Sequence, residues 1–371
     1  MRISILLIIL VFSLSIGAQE TTIEPVTIYS ESVHITLSPD GTMLAWTDAS
    51  DGLCVYGFAD DSTTCTPFPN RTLRDHTALR WSPDSSLIAL TENWLVAFAE
   101  SDLWLYEVAS GTFTNRTDDD AVGSAVALRQ DGQAFALDAT PVWNPANGDL
   151  YFVRYTPTNG LRGYTVALYR IPRLGGDVLG VLNTEGAGLA DGEPVQVVAL
   201  DDPVLARLSI YHGGEFVLNG GAAINADGTQ LVLLARPATF DDIGVWEVDL
   251  DAGTYAQTAG GADFGDRLRG VAFDEDDSVL VAVGQDISAL YRDGEPVNEF
   301  AVVSTVTFSG GVLALSTDGS LALLEGDEWE IIARVPEEPT TVLPLVRPSA
   351  GFDGDTLRVL MAGYLFTLTI D

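Results

Sequence analysis

The chain has 371 residues, of which 47% are hydrophobic, 53 are acidic and 18 are basic, so that its formal net charge is −35. The apolar content is enough for a large folded core and is unlike the composition of disordered chains. The charge repels phosphate backbones and anionic lipid surfaces, which excludes nucleic acid and membrane surfaces as expected partners.

The first 18 residues have the pattern of a secretory signal. Arg2 precedes an apolar run from Ile3 to Ile16, and Gly17 and Ala18 supply small residues before Gln19. This run of about 14 residues is shorter than the roughly 20 that span a bilayer, which favours cleavage over a retained anchor. We therefore expect a signal peptide over 1–18 and one mature domain over 19–371. That domain is expected to be secreted, extracellular or periplasmic, with no membrane insertion after cleavage.

The only two cysteines of the chain, Cys54 and Cys65, flank a segment with the pattern of a hairpin. In an exported chain an even pair favours a disulfide bond. The hairpin covers Val55–Thr64, so the bond would close a single hairpin if the cysteines lie opposite each other on neighbouring strands. The alternative is a pair of buried free thiols.

An internal repeat runs along the chain. Its clearest copies are His34–Trp46 and Ala78–Leu90, and weaker copies follow at Pro141–Val153, Ala223–Leu234, Val271–Val283 and Val306–Leu315. One position is apolar in every copy and lies just before a turn: Leu37, Trp81, Trp143, Ile224, Phe273 and Phe308. Each copy has the pattern of a hairpin, because a polar turn with Pro, Asp or Gly separates two apolar strands.

Two further strands follow the hairpin in several copies. Third strands are predicted at Leu103–Val108, Val166–Ile171, Val245–Leu250 and Ser288–Arg292, and outer strands at Thr112–Thr117, Asp177–Leu182 and Thr254–Thr258. Four antiparallel strands in a repeat of 44 residues, the spacing of Leu37 and Trp81, match a propeller blade of roughly 40–45 residues. Blades are predicted near 33–73, 76–119, 141–186, 221–262, 268–302, 303–336 and 340–371.

The last of these segments supplies about three strands, and Thr22–Tyr29 has the pattern of a strand without a partner. The sequence therefore predicts an all-β fold: one β-propeller of four-stranded antiparallel blades, closed by the N-terminal strand. Seven blades are predicted, with six and eight left open. Two stretches do not fit the repeat and stay open as insertions or as parts of a distorted blade. These are 121–139, which carries a predicted hairpin at Leu128–Leu137, and 187–220.

The runs Leu37-Ser-Pro-Asp-Gly41 and Trp81-Ser-Pro-Asp84 resemble the WD-like repeat of TolB-type β-propellers. Later copies depart from it and replace Pro-Asp-Gly by other turn residues. In that family the Pro, Asp and Gly shape the first hairpin of each blade, so the resemblance implies structural roles for them. The family includes periplasmic interaction proteins and gating domains of some peptidases. The resemblance implies a propeller fold and a role in binding other molecules, and it implies no catalysed reaction.

Standard catalytic signatures are absent from the sequence. There is no Gly-x-Ser-x-Gly elbow, no His-Glu-x-x-His and no phosphate-binding loop. All 18 basic residues are arginine, which excludes any site that needs a lysine amine. The three histidines, His34, His76 and His212, show no spacing that favours a catalytic triad.

Runs of acidic residues are the remaining candidates for a chemical site, because calcium takes six to eight oxygen ligands. The run Asp118, Asp119 and Asp120 is the candidate for such a metal site, although it lacks the alternating pattern of a calcium loop. In a chain this acidic, such runs are also expected on a solvated surface. No cofactor is expected, and calcium stays open.

Two other features of the sequence have a structural explanation. Trp81 and Trp143 are predicted to pack between blades, since they occupy the apolar position of the repeat. The Asn-Arg-Thr triplets that begin at Asn70 and Asn115 fit an N-glycosylation acceptor, and they are explained equally by a common origin of the repeats.

The leading hypothesis is an exported, non-enzymatic propeller that binds a protein, peptide or glycan through the loops at one mouth of its channel. The alternative is an exported hydrolase or lyase whose acids, with or without calcium, meet in the central channel, because a fold alone does not separate these functions. Acids and histidine that converge at one mouth would favour the enzyme. A third reading, an envelope scaffold, predicts a large exposed apolar patch.

Overall fold

The computed structural model describes residues 21–25, 32–48, 52–69, 79–92, 101–124, 127–128, 131–158, 164–173, 193–200, 221–235, 244–264, 268–284, 288–297, 301–308, 311–326, 328–335 and 348–369. These residues form an all-β fold of antiparallel sheets in a propeller ring. A short helix, α1 (Gly261–Phe264), follows a strand at the edge of its sheet.

Four of the four-stranded sheets take their strands in chain order. The first sheet contains β2 (Ser32–Leu37), β3 (Met43–Asp48), β4 (Gly52–Gly57) and β5 (Ser62–Thr66). The second sheet contains β6 (Arg80–Trp81), β7 (Leu87–Thr91), β8 (Leu103–Glu107) and β9 (Thr112–Asn115). The third sheet contains β10 (Leu137–Trp143), β11 (Leu150–Pro157), β12 (Tyr164–Ile171) and β13 (Val195–Ala199). The fourth sheet contains β14 (Ala222–Ile224), β15 (Gln230–Ala235), β16 (Gly244–Asp249) and β17 (Thr254–Gly260).

An eight-stranded sheet comes next in the chain. It contains β18 (Leu268–Phe273), β19 (Val279–Gly284), β20 (Ser288–Arg292), β21 (Glu295–Pro296), β22 (Val302–Phe308), β23 (Gly311–Ser316), β24 (Ser320–Glu325) and β25 (Glu328–Arg334). Its two halves, β18–β21 and β22–β25, are joined by a single pair of residues, Ser288 and Val302.

The last sheet joins the two ends of the described chain. It contains β26 (Ser349–Asp353), β27 (Thr356–Met361), β28 (Tyr364–Thr369) and β1 (Thr21–Pro25), and β1 pairs antiparallel with β28. The prediction that an N-terminal strand completes the last sheet is confirmed. This pairing covers an edge that would otherwise be open to another chain.

The core lies between the sheets and not within a single layer. Leu87 and Leu103 of one sheet pack against Phe152 and Ile171 of the next, and similar apolar clusters separate the other neighbours. Leu360 of the last sheet packs against β2 of the first, which closes the ring. Because each sheet is covered on both faces, a strand such as β7 is buried along its whole length, and its sequence is apolar from Leu87 to Leu90.

The inner strands are the first strands of their sheets, and they contact one another around the ring. The apolar position of the repeat is the last residue of an inner strand in every copy: Leu37, Trp81, Trp143, Ile224, Phe273 and Phe308.

In the turn that follows β2, Asp40 accepts hydrogen bonds from the Ser38 hydroxyl (2.6 Å) and the Thr42 amide (3.0 Å). Asp84 binds Ser82 and Ser86 in the same way after β6. The structural role that the repeat implied for these aspartates is confirmed.

The strand that pairs with β12 in the third sheet is β13 (Val195–Ala199), which the sequence did not predict. The outer strand predicted at Asp177–Leu182 lies outside the described residues. The hairpin predicted at Leu128–Leu137 is wrong in its described part, because Leu128 belongs to a helical turn, in which its amide bonds to the Ser124 carbonyl (3.0 Å), and residues 133–136 form no strand. Alanine-rich sequence favours this turn.

Cys54 and Cys65 lie opposite each other on β4 and β5 and form a disulfide bond. The predicted pairing is confirmed, and the bond points to an oxidising, exported environment. In the part of the chain that the structure describes, no helix is both long and apolar enough to span a membrane. The signal segment 1–18 lies outside that part and stays a prediction.

Candidate functional site

The inner strands surround a cavity of about 380 Å³ toward the ends at which their polar turns lie. Its wall contains the repeated apolar residues of four sheets, Leu37, Trp81, Trp143 and Ile224, together with Val306 of β22. The two tryptophans are each 8% exposed. They pack between sheets, as predicted, and they also form part of the cavity wall.

The wall is mostly apolar. Four prolines line it, three of them from the repeated turns: Pro39, Pro83, Pro145 and Pro348. Apart from the two tryptophans, the polar residues that line it are Thr36, Arg80, Thr307 and Ser349. No carboxylate, imidazole or thiol occurs among the described residues that line it. The convergence of acids and histidine that an enzyme site would require is therefore not seen in this wall.

Hydrogen bonds between sheets hold the rim of the cavity in place. The Asp40 amide donates to the Ser85 hydroxyl of the next turn (3.1 Å), and the Leu37 amide donates to the Ser349 hydroxyl (2.8 Å). On the other side, the Asn144 side chain donates to the Gly228 carbonyl (2.8 Å). The rim is thus preformed, as binding pockets in proteins generally are.

An ion pair joins two of the turns. Arg173 of the third sheet lies 2.6 Å from Asp84 in the turn after β6. Burial raises the pKa of Asp84, but hydrogen bonds from Ser82, Ser86 and Arg173 outweigh this effect and lower the pKa to about 2. Asp84 is therefore an ionised structural anchor at neutral pH.

A second polar group is buried between the β6–β9 sheet and the β10–β13 sheet, at the strand ends opposite to the cavity. We name it the acidic junction; it comprises Glu92, Asp102, Asp119, Asp138 and Arg154. The Asp138 side chain is fully buried and receives two hydrogen bonds of 2.7 Å from Arg154. Asp102 receives a hydrogen bond of 2.6 Å from Asn115.

The electrostatics of the acidic junction are unusual. Burial raises the pKa of Asp102, the hydrogen bond from Asn115 lowers it, and the negative charges of Glu92, Asp138 and Asp119 raise it, so that the pKa is about 7. Burial also raises the pKa of Asp138, against the opposing hydrogen bonds from Arg154. Sequence analysis singled out Asp119, within an acidic run, but not the other members, because Glu92, Asp102 and Asp138 are single acids in separate segments of the chain. The available signal was the presence of an aspartate within the apolar start of β10.

The candidate metal residues Asp118, Asp119 and Asp120 lie just after β9. Asp119 accepts hydrogen bonds from the amides of Ala121 (3.0 Å) and Ala136 (2.7 Å), and Asp118 accepts one from the Asp120 amide (3.0 Å). Within the described ranges, no group of three or more His, Cys, Asp or Glu residues is arranged to hold a metal ion. The run stays a candidate calcium site on its sequence alone.

The structure also places the remaining candidates. His34 lies within β2, at a bulge where its φ is 56°, whereas His76, His212 and Asn70 are outside the described residues. Asn115 and Thr117 of the second triplet bind Asp102 and the Leu103 amide. The large exposed apolar side chains among the described residues, Val122, Val195 and Ile331, belong to separate segments of the chain.

No protein-family model matches this chain, and no curated protein matches its sequence. Among solved structures, the chain is similar to an oligogalacturonate lyase in complex with manganese, with a TM-score of 0.55 and 12% sequence identity. The match covers 96% of this chain and 94% of the lyase. At this identity the similarity shows the propeller fold and nothing about the reaction.

Proposed function

We propose that this protein is an exported, non-enzymatic β-propeller that binds a protein or peptide segment in the cavity at the turn end of its channel. The observation that carries the proposal is the chemistry of the wall: apolar side chains and prolines from several inner strands, with Arg80 as the one charged group among the described lining residues. General acid or base catalysis needs a positioned group that can exchange protons near neutral pH, and the described wall supplies none.

The size and polarity of the cavity favour a peptide segment over a glycan. A volume of about 380 Å³ is at the small end of ligand pockets and accommodates one or two apolar side chains. A sugar presents several hydroxyls, each of which needs a hydrogen-bonding partner when it is buried. Few of the described lining residues are polar, and the Ser349 hydroxyl already accepts a hydrogen bond from the Leu37 amide. Glycan binding is the second arm of the test below.

We further propose that the propeller has seven blades. The eight-stranded sheet is best divided between β21 and β22, because only Ser288 and Val302 pair across that boundary. An apolar cluster lies between its halves as others lie between separate sheets, and its members include Ala272, Leu280, Leu290, Val312 and Leu324. This division gives two four-stranded blades and a total of seven, as the repeat predicts.

The proposed cellular setting follows from the sequence. The signal pattern of residues 1–18, the disulfide between Cys54 and Cys65 and the high negative charge all fit an exported soluble domain. The Ser-Pro-Asp turns resemble those of TolB-type propellers, a family with periplasmic interaction proteins, and this resemblance supports a binding role.

A peptide display experiment tests the proposal. Residues 19–371 are immobilised and used to select binders from a random peptide library, and the same protein is applied to a glycan array. The variant Thr307→Trp fills the cavity from its wall, whereas Thr114→Trp adds the same ring on the exposed face of β9. We expect apolar peptides whose binding is lost in Thr307→Trp and retained in Thr114→Trp. Glycan binding alone, or peptide binding that both variants retain, would overturn the proposal.

A further inference from the structure

The β6–β9 and β10–β13 sheets are joined by main-chain contacts at the acidic junction. Ser101 forms a parallel bridge with Leu137. The Asp138 amide donates to the Ser101 carbonyl (2.9 Å), and the Ser101 hydroxyl donates to the Asp138 carbonyl (2.8 Å). Ser101, which precedes Asp102, is therefore bonded to the main chain of Leu137 and Asp138, and these contacts join the two sheets.

The Asn115-Arg116-Thr117 triplet ties the two aspartates together. The Asn115 side chain donates to Asp102, and the Thr117 hydroxyl forms a hydrogen bond with Asp138 while it accepts one from the Leu103 amide (2.8 Å). Thr117 is buried. The side chains of the triplet thus link both aspartates and the Leu103 amide.

The described charges around Asp102 come from several neighbouring segments. Glu92 follows β7, and its amide donates to the Asp102 carbonyl (3.1 Å); Asp119 follows β9, and Asp138 and Arg154 face from β10 and β11. Arg116 lies in the same segment as Asn115, and its amide bonds to the Leu103 carbonyl (2.8 Å). The bidentate partner of Arg154 is Asp138, so its charge is already engaged when Asp102 ionises.

We propose that the acidic junction is a pH-sensitive joint between these two sheets. The contact between the sheets is more stable when the Asp102 carboxyl is protonated and less stable when it is ionised. A protonated Asp102 keeps one oxygen for the hydrogen bond from Asn115 and adds no charge to the three neighbouring acids. An ionised Asp102 adds a further negative charge to a buried region, and like charges at short range in a poorly solvated site destabilise one another.

The direction of the pH effect follows from linkage. The pKa of Asp102 is about 7 in the folded protein, against 3.8 for the ordinary side chain, so the folded state holds more protons between these two values. The free energy of unfolding contributed by this group therefore falls as pH rises through that window and becomes constant above it.

The joint also connects to the cavity. Strand β10 contains Asp138 near its start and Trp143 at its end, and the Trp143 indole donates to the Arg80 carbonyl of β6 (2.9 Å). A change in how these two sheets pack therefore reaches two residues of the cavity wall. This consequence for binding rests on the proposed function, whereas the joint itself does not.

Hydrogen exchange of the wild-type protein tests the joint directly. Exchange is measured by mass spectrometry at pH 6 and pH 8 and corrected for the intrinsic pH dependence of amide exchange. Protection of peptides that contain Leu103 and Asp138 is expected to fall roughly tenfold between these pH values. Peptides from β23 and β24 serve as the internal control and are expected to keep their protection. Equal protection of the junction peptides at both pH values would overturn the proposal.

The variant Asp102→Asn assigns the effect, because the amide is neutral at all pH values and can still accept the hydrogen bond from Asn115. We expect its junction peptides to show the same protection at pH 6 and pH 8. Asp353→Asn, a half-exposed carboxylate paired with Arg358, is the matched control and is expected to behave like the wild type. If Asp102→Asn keeps the pH dependence of the wild type, the joint does not depend on Asp102. If this variant does not fold, the wild-type measurement alone decides.

Discussion

The indole nitrogen of Trp143 donates a hydrogen bond of 2.9 Å to the carbonyl oxygen of Arg80, which belongs to the neighbouring inner strand. Trp81 occupies the same position of the preceding repeat, but its buried indole nitrogen has no hydrogen-bond partner in the described structure. Two equivalent side chains in one cavity wall thus differ in a single hydrogen bond.

This difference gives a matched pair of variants. We expect Trp143→Phe to lower the free energy of unfolding by about 1–2 kcal/mol more than Trp81→Phe, because only the former removes a hydrogen bond and leaves a buried carbonyl with a lost partner. The removed ring atoms are the same in both variants. Urea denaturation followed by circular dichroism measures the difference, and equal losses would show that the bond contributes nothing.

The ion pair of Asp138 and Arg154 gives a second prediction. Asp138→Asn leaves the Arg154 charge partly buried without its carboxylate, and we expect a loss of about 2–4 kcal/mol in the free energy of unfolding. Asp353→Asn breaks the more exposed pair with Arg358 and should cost under about 1 kcal/mol. Urea denaturation at pH 7 compares them. A loss in Asp138→Asn no greater than in Asp353→Asn would contradict the structural role of the buried pair.

Gly41 is required where two turns approach closely. Its φ is +68°, and a Cβ atom there would lie 2.7 Å from the Gly351 carbonyl oxygen. Gly354 has a similar φ of +61° but open space around that position, so it isolates the cost of the backbone conformation. We expect Gly41→Ala to reduce the melting temperature by several degrees more than Gly354→Ala. Equal reductions would mean that the contact between these turns is easily relaxed.

A calcium titration checks the run Asp118–Asp120. Both carboxylate oxygens of Asp119 accept hydrogen bonds from backbone amides, so we expect calcium to leave the melting temperature unchanged relative to magnesium at the same concentration. Ligands that bind the folded state raise its stability by mass action. A calcium-specific rise that EDTA reverses and Asp119→Asn abolishes would contradict this expectation and favour the metal-site alternative.

The repeat predicted the fold because local patterns determine it. An apolar residue, a polar turn and a β-branched strand recur in each sheet, so Leu37 and Trp81 could be placed at the ends of inner strands from sequence. The outer strand β13 was missed because a long connection separates it from β12 and no turn pattern marks it. Its place depends on pairing along β12 and not on local sequence.

The polar groups could not be predicted in the same way. Asp102 and Asp138 are 36 positions apart in the sequence and come together only when two sheets pack. Their proximity is a property of the ring, and so is the cavity, whose wall takes a few residues from each inner strand. Sequence reasoning identified Trp81 and Trp143 as core residues but could not show that they also face a cavity.

The most direct test of the binding proposal is an NMR titration of the indole N–H signals with a peptide selected by display. Trp143→Phe and Trp81→Phe assign the two signals of the wall. The account predicts that these signals shift on addition of the peptide, while that of Trp329, which lies on the outer strand β25, does not. Shifts confined to Trp329, or to signals other than those of Trp81 and Trp143, would place the binding site elsewhere and contradict the proposal.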